Sequence, residues 1–210
     1  MPLDPSLTEF TTASPIIASY NYTDIANGTG YIVFYPCSNR TTGGVSTYFL
    51  SPLLLYAGII APSLSTSQDV DYDVTFITPK TIKGKVRINI TIGGKGVGES
   101  VVLNTKIWVR HWDGTTETPL ADVTTSEVTA PSGSTNSLVM CVEMDVARTH
   151  FAAGETLRIT VKTQKQSGTG YMGWGQDPKD RNDDGGNKVI DDDDTTQMAV
   201  HIPFLIPIQL

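Results

Sequence analysis

Apolar and polar residues alternate with a period of two along six segments of the chain, a pattern typical of β-strands with one buried face. In residues 85–92 the pattern predicts Val86, Ile88 and Ile90 inside, and Lys85 and Arg87 outside. The same alternation runs through residues 70–77, 103–110, 138–146, 155–162 and 198–205. Two further apolar stretches, residues 30–36 and 46–56, bring the prediction to eight or nine strands.

Turn-forming residues separate these predicted strands, since Gly, Pro, Asn and Ser cluster between them. Short strands with regular turn signals favour an all-β fold built as an antiparallel β-sandwich. Eight strands in two sheets is the number found in a jelly roll, so the sequence predicts a jelly roll of eight or nine strands. Another Greek-key sandwich fits the same pattern.

The domain boundaries follow from where the alternation begins and ends. Residues 1–28 are polar without a clear period and are predicted to form an extended N-terminal arm, whereas residues 29–210 form the sandwich. Within it, residues 164–195 are predicted to be a long Asp-rich loop, and residues 196–210 a last strand and apolar tail. Pro203 interrupts that strand, which predicts a sheet edge or an extended tail. One helical turn is predicted in residues 145–155.

Charge and composition argue against nucleic-acid binding and against a membrane-spanning segment. The net charge is −7, and residues 177–194 hold eight Asp against three basic residues, so −5 of that charge lies in one segment. Without a basic stripe the chain has no general attraction for nucleic acid. The start of the sequence does not resemble a signal peptide, and the longest apolar run is too short to span a membrane. Cys37 and Cys141 are predicted to be free thiols rather than a disulfide.

The Asp-rich segment contains a spacing known from calcium loops. Asp180, Asn182, Asp184 and Gly185 give D-x-N-x-D-G, and after five intervening residues Asp191 stands in place of the usual Glu. Oxygen ligands two residues apart on a tight loop can converge on one Ca²⁺. We therefore predict Asp180, Asn182, Asp184 and Asp191 as calcium ligands, although the flanks are not those of an EF-hand. The alternative is a solvated acidic loop, in which Asp and Asn serve as turn residues.

Other candidate chemistry is weaker. Residues 93–100 partly fit a phosphate-binding loop, but Glu99 occupies the Lys position and a strand follows instead of a helix. We interpret this stretch as a Gly-rich hairpin turn. The three histidines lie far apart, and no nucleophile motif is present. We therefore expect no enzymatic activity.

The tryptophans support an alternative function. Trp108 is on the predicted polar face of its strand, and Trp112 follows shortly after it. Exposed Trp side chains can stack on sugars, so a calcium-assisted carbohydrate-binding module for host-surface glycans is the alternative hypothesis. The simpler interpretation is that these rings seal an interface or cover a sheet.

Three stretches of the sequence resemble virion structural proteins of tailed bacteriophages. The "GWGQDPKDRN" stretch, an acidic spacer and "MAVHIPFLI" are similar to a Gly-x-Asp-Pro-x-x-Arg turn that precedes a last strand ending in Ile-Pro-Phe. "HFAAGETLRITV" resembles a turn and strand of jelly-roll virion and sugar-binding domains, and "SPIIASYNYTDIANGTGYIVFYP" resembles the start of such proteins. The expanded Asp cluster departs from this pattern.

The resemblance implies a capsid decoration (cement) or minor capsid protein located in the virion. Its implied partners are the major capsid protein, other virion subunits and further copies of the chain, and its mechanism would be mechanical. No catalytic residue and no cofactor other than the predicted calcium is implied, and neither nucleic acid nor a membrane is an expected partner.

Overall fold

The computed structural model describes residues 18–19, 29–40, 46–55, 63–181 and 188–205. Across these ranges the chain is all-β, with eleven strands and no helix. The strands are β1 (Ala18–Ser19), β2 (Thr29–Arg40), β3 (Ser46–Ser51), β4 (Ser63–Leu64), β5 (Gln68–Thr75), β6 (Lys80–Trp112), β7 (Glu117–Thr124), β8 (Val128–Ala130), β9 (Thr135–Phe151), β10 (Thr156–Trp174) and β11 (Ala199–Leu205). The predicted all-β class is confirmed.

Six strands close into a barrel in the order β6, β10, β5, β3, β2 and β11, and β11 pairs back onto β6. All of these pairings are antiparallel except the short contact between β3 and β5. The remaining strands extend the sheet: β1 pairs with β2, β4 with β10, and β7, β8 and β9 with β6. The closed barrel with added strands fits the predicted jelly-roll-like sandwich.

Strand β6 is the longest strand in the described ranges and pairs with five others, so it connects most of the sheet. Its first half lies between β9 and β11, and its second half lies between β10 and either β8 or β7. A glycine-rich stretch joins the two halves of β6, and Cβ atoms on Gly93 and Gly94 there would lie 2.2 and 2.5 Å from neighbouring atoms. Glycine permits this close approach, as is common where one strand turns a sheet corner.

The predicted hairpin turn at residues 93–100 is wrong. The chain does not reverse, because β6 pairs with β10 on both sides of this stretch, from Gly96 opposite Gly170 to Val101 opposite Gly168. Residues 97–100 therefore bulge out of a continuous strand, four residues opposite the single residue Thr169, and Gly98 among them has a φ of 77°. Glycine is common in β-bulges as well as in hairpin turns, so the local sequence cannot distinguish a bulge from a turn.

The alternation that predicted the strands correctly identifies the core. Every predicted inward position in residues 85–92 and 103–110 is buried, and Leu157, Ile159 and Val161 of β10 are fully buried as well. In β9 the pattern holds only for the second half, where Met144 and Val146 are buried while Leu138 is 46% exposed. The core is thus built mainly by β6 and the strands on either side of it.

Two predicted irregular segments are strands instead. Strand β10 continues to Trp174, so the loop predicted at residues 164–195 begins eleven residues later, at Gly175. The predicted helical turn is also wrong, since β9 runs to Phe151 and a short turn follows it. In both places Gly and Thr obscure the alternation, and pairing with β6 decides the structure.

Strand β11 is central, although its proline predicted an edge strand or tail. It pairs with β2 on one side and with β6 on the other. The ladder between β11 and β6 is interrupted between His201 and Phe204. Pro203 lies in this interruption, so its lack of a backbone N–H costs no ladder hydrogen bond to β6. Gly84 of β6, at φ 120°, lies against the proline ring at this interruption. The bulge therefore admits a proline that an unbroken ladder would exclude.

The predicted arm and tail lie largely outside the described residues. Within the predicted arm, Ala18 and Ser19 form β1, opposite Ile32 and Tyr31 of β2. The tail beyond Leu205 is not among the described ranges. In those ranges no helix is long and apolar enough to cross a membrane.

Candidate functional site: the acidic strap and its surroundings

The Asp-rich segment packs on the barrel as a strap, which we define as residues 175–181 and 188–198. It leads from β10 to β11 and contacts Gly93 of β6 and Ser137 of β9. Val189 and Ile190 are buried and pack with Tyr171. A Cβ atom on Gly93 would lie 2.2 Å from the Val189 carbonyl oxygen, so the strap contacts the β6 backbone directly. Two buried apolar residues, which lie between the two groups of Asp residues in the sequence, thus hold the strap on the barrel.

Asp177 is the fully buried centre of the first half of the strap. Its Oδ2 accepts hydrogen bonds from the Arg181 backbone N–H at 2.7 Å and from Arg181 Nε at 2.9 Å, and its Oδ1 accepts one from Nη2 at 3.1 Å. The Lys179 backbone N–H also points at Oδ1, at 3.3 Å. The Asp177 N–H donates to the Thr196 carbonyl, which ties the turn to the end of the strap. A bidentate Arg–carboxylate pair with backbone donors is a strong, geometrically specific contact.

The same turn explains the motif that resembles phage proteins. Gly175 fits only without a side chain, because a Cβ there would lie 2.6 Å from the Thr196 carbonyl oxygen. Pro178 supplies the fixed φ of a turn, and its carbonyl accepts a hydrogen bond from Gln197 at 2.6 Å. With Asp177 and Arg181 forming the ion pair, each defined position of Gly-x-Asp-Pro-x-x-Arg has a role in shaping the strap.

Asp180, the first predicted calcium ligand, has protein donors on one oxygen. Its Oδ1 accepts hydrogen bonds from the Thr195 hydroxyl at 2.8 Å and from the Thr196 backbone N–H at 2.6 Å. Although burial acts to raise it, these hydrogen bonds hold the pKa of Asp180 below its ordinary value. Its backbone has a φ of 50°, which a short polar side chain tolerates. Asp180 therefore closes the strap on itself.

Asp191 and Asp194 bind the second half of the strap to β9 through Ser137. Asp191 Oδ2 accepts the Ser137 backbone N–H at 3.2 Å, and the Asp191 N–H donates to Ser137 Oγ at 2.9 Å. The Ser137 hydroxyl donates to Asp194 at 2.5 Å. Asp194 therefore contacts the sheet, whereas Asp192 and Asp193 are exposed.

The four predicted calcium ligands divide between two attachments and the undescribed part of the loop. Asp180 binds Thr195 and Thr196, Asp191 binds Ser137, and Asn182 and Asp184 lie outside the described residues. Among the residues that are described, no three His, Cys, Asp or Glu side chains converge on a common point. Calcium binding thus stays a prediction from the sequence.

A buried polar network inside the barrel has no signal in the alternation pattern. The Tyr72 hydroxyl donates to Gln176 Oε1 and accepts a hydrogen bond from Trp174 Nε1 at 2.9 Å. All three residues are fully buried. Burial raises the pKa of Tyr72 well above its ordinary value, so the phenol stays neutral. The network fixes the start of the strap to β5 from inside the barrel.

The outer face of β5, β10, β6 and β7 carries a network of ion pairs around Arg158. Arg158 forms a bidentate pair with Asp73, both contacts at 2.8 Å, and reaches Glu117 at 2.7 Å. Glu117 in turn accepts a hydrogen bond from Arg110. Hydrogen bonding to Asp73 raises the pKa of Arg158 above its ordinary value. The charges on this face are largely neutralised by their neighbours.

This network bears on the carbohydrate hypothesis. Lys106 and Arg110, the residues two positions on either side of Trp108, each place a cation 4.9 Å from the centre of its ring. Arg158 lies 5.8 Å from the ring of Trp112. Trp174, the third tryptophan, is fully buried. Cation–π contacts therefore occupy the ring of Trp108 that a sugar would need.

Two features resemble parts of catalytic sites. His111 Nε2 lies 2.8 Å from Glu155, but no hydroxyl or thiol nucleophile contacts His111 in the described structure. Cys37 and Cys141 are both free, the first buried and the second exposed. Burial raises the pKa of the Cys37 thiol to about 11, so it is protonated at neutral pH.

Comparisons with known proteins identify no family. No protein-family model and no curated protein matches the chain. A CocE/NonD family hydrolase from Staphylococcus aureus is similar with a TM-score of 0.47 and 11% identity, over 82% of this chain and 36% of the hydrolase. The chain thus spans little more than a third of that protein.

Other solved structures are similar at the same low level. An aminopeptidase from a marine sediment Thaumarchaeota archaeon matches with a TM-score of 0.44 and 9% identity, over 65% of this chain and 26% of its own. The structure of infectious bursal disease virus, Gx strain, matches with a TM-score of 0.28 and 9% identity, over 70% and 37%. Viral particles and hydrolases are therefore both among the neighbours, and similarity this low carries no argument about function.

Proposed function

We propose that this chain is a structural protein of a bacteriophage virion, of the capsid decoration or minor capsid type. The observation that carries the proposal is the strap. Its resemblance to phage virion proteins falls on Gly175, Asp177, Pro178 and Arg181, and these residues form the locked turn that leads into β11. The resemblance therefore concerns residues that shape the fold, and not solvent-exposed positions of arbitrary composition.

The proposed mechanism is mechanical and involves no catalysis. A closed barrel with a fully buried core forms a rigid body, since dense packing resists deformation. Such a body stabilises a shell by burying surface against the major capsid protein or other subunits, including copies of itself. In this proposal the protein is located in the virion, and its partners are proteins rather than nucleic acid or a membrane.

Mass spectrometry of gradient-purified virus particles tests this proposal. We expect peptides of this chain to sediment with the major capsid protein at a fixed molar ratio across the particle peak. Recovery of the chain only in slowly sedimenting fractions would contradict the proposal. A glycan array provides the control for the carbohydrate hypothesis, because competable binding lost on Trp112→Ala, with the fold intact, would favour that hypothesis instead.

A further inference from the structure

Strand β9 presents a long, regular and unpaired sheet edge. In the described part of the chain it pairs only with β6. The ladder is unbroken from Val146 opposite Gly84 to Thr135 opposite Lys95. Strand edges are usually protected by Pro, bulges or charged side chains such as Lys; this stretch of β9 has no Pro, Lys or bulge, and its charged residues are Glu143 and Asp145. An edge of this kind readily accepts another strand.

Hydrogen bonds at Ser137 show which backbone groups face outward. Its N–H donates to Asp191 of the strap, so it does not bond to Gly93, the residue opposite it on β6. In an antiparallel ladder, bonded and non-bonded pairs alternate. The same parity places the backbone N–H and C=O groups of Val139, Cys141, Glu143 and Asp145 on the outer edge.

The strap closes this edge at one end only. Asp191 and Asp194 bind Ser137, and beyond it residues 139–145 pair with no described strand on their outer edge, although β7 and β8 lie close to β9. At the boundary Leu138 and Val139 are 46% and 48% exposed, although they point to opposite faces of the sheet. Both faces of β9 are therefore partly exposed at this point, whereas Met140 and Val142 pack against the core.

We propose that the N-terminal segment, residues 1–17, of one copy of this chain pairs as an added strand with residues 139–145 of β9 in a second copy. The segment precedes Ala18 and lies outside the described residues. Its longest run without proline, residues 6–14, has Pro5 and Pro15 at its ends and is rich in Thr, with Leu7 and Phe10. This run is long enough for the seven-residue edge and has a composition that favours strands.

The position of β1 favours a second copy over the segment's own β9. Strand β1 lies beside β2, and β11 and β6 separate β2 from β9. To reach its own β9, the segment would have to cross the outer face of these strands. Lys85 and Arg87 on that face are about half exposed and form ion pairs with Glu143 of β9. In contrast, the segment spans up to about 55 Å when extended, enough to reach a neighbour.

The inference deepens the proposed function by naming a surface for contact between copies. Its test uses purified protein alone, so its failure leaves the particle experiment unaffected. The two outcomes are therefore distinguishable.

Disulfide trapping between two variants tests the pairing. The donor carries Thr11→Cys with Cys37→Ala and Cys141→Ser, and the acceptor carries only Cys37→Ala and so retains Cys141. Under mild oxidation we expect a donor–acceptor dimer at a yield about tenfold above that of a control donor. The control donor has Ile77→Cys, at a site 91% exposed and outside the segment. The enrichment reflects the higher effective concentration of thiols held in one ladder.

Labelling of Cys141 with a maleimide gives a second measurement. In the acceptor, labelling should slow about tenfold as the protein concentration rises through the range of association. Thr8→Pro with Thr12→Pro should remove this slowing, because proline blocks ladder pairing.

Three results would overturn the proposal. The first is a labelling rate independent of concentration and of the proline substitutions, with no enrichment of the mixed dimer. The second is cross-linking only within the chain of a further variant, Thr11→Cys with Cys37→Ala, which retains Cys141; this would place the segment on its own β9. The third is dominant Cys141–Cys141 dimers, which would indicate β9–β9 pairing.

Discussion

Replacing Asp177 with Asn tests whether the buried ion pair holds the strap on the barrel. The substitution keeps the shape of the side chain but removes the charge that faces the Arg181 guanidinium. It also turns an acceptor into an NH₂ donor that opposes other donors, since the backbone N–H of Arg181 points at Oδ2 and that of Lys179 at Oδ1.

The magnitude follows from burial. Removing one partner of a buried ion pair costs about 3–5 kcal/mol. Asp177 is fully buried but the Arg181 side chain is 32% exposed, so water recovers part of its solvation. We expect the free energy of unfolding to fall by about 2–3 kcal/mol. For a chain of this size that lowers the Tm by about 4–12 °C.

Urea denaturation followed by tryptophan fluorescence measures this change, and hydrogen exchange locates it. Exchange should accelerate in residues 188–205, because the strap and β11 follow the turn. Asp193→Asn is the matched control, since it removes the same charge from an exposed carboxylate and should change stability by less than about 0.5 kcal/mol. A loss below about 1 kcal/mol for Asp177→Asn, or no difference from the control, would refute the reasoning.

Three further predictions concern the barrel and the strap. Tyr72→Phe leaves Trp174 Nε1 and Gln176 Oε1 without their buried partner, so urea denaturation should show a loss of about 2 kcal/mol, and an unchanged midpoint would contradict the network. Burial and the charge of Arg87 lower the pKa of His201 in the folded protein below its ordinary 6.5. Because the unfolded chain then binds the proton first, stability should fall as the pH drops below about 6.5. His201→Gln should reduce that fall, and an identical pH profile for the variant would exclude His201 as its source. Calcium should release heat in calorimetry and raise the Tm, and Asp184→Asn should abolish both effects. If calcium gives no heat and chelation leaves the Tm unchanged, the calcium prediction is wrong.

The alternation of residues predicted the all-β class and most of the core because burial on one face of a strand is a local property. Ile88, Ile107 and Ile159 are buried where the pattern places them. The pattern could not show that residues 85–92 and 103–110 belong to one strand. That continuity depends on β10 pairing across the bulge at residues 97–100.

The strap could be predicted only in part. The D-x-N-x-D-G spacing drew attention to Asp180, but the contacts that define the strap come from residues far away in sequence, such as Thr196 and Ser137. Val189 and Ile190 interrupt the Asp run, and this apolar pair was the available signal that the segment packs on the barrel. Buried partners such as Tyr72 and Gln176 carry no periodic signal.

The sequence by itself determined that this chain forms strands, which residues face the core and where charge accumulates, because neighbouring side chains decide those properties. Only the tertiary structure decided that a strand containing Pro203 closes the barrel, that Asp177 is buried in an ion pair, and that one edge of β9 has no partner strand among the described residues. The physical reason is that these features depend on pairing between distant segments. The ladder is irregular where Gly84 lies against Pro203, so the proline needs no backbone N–H there. The strap binds β9 at Ser137, at one end of its outer edge.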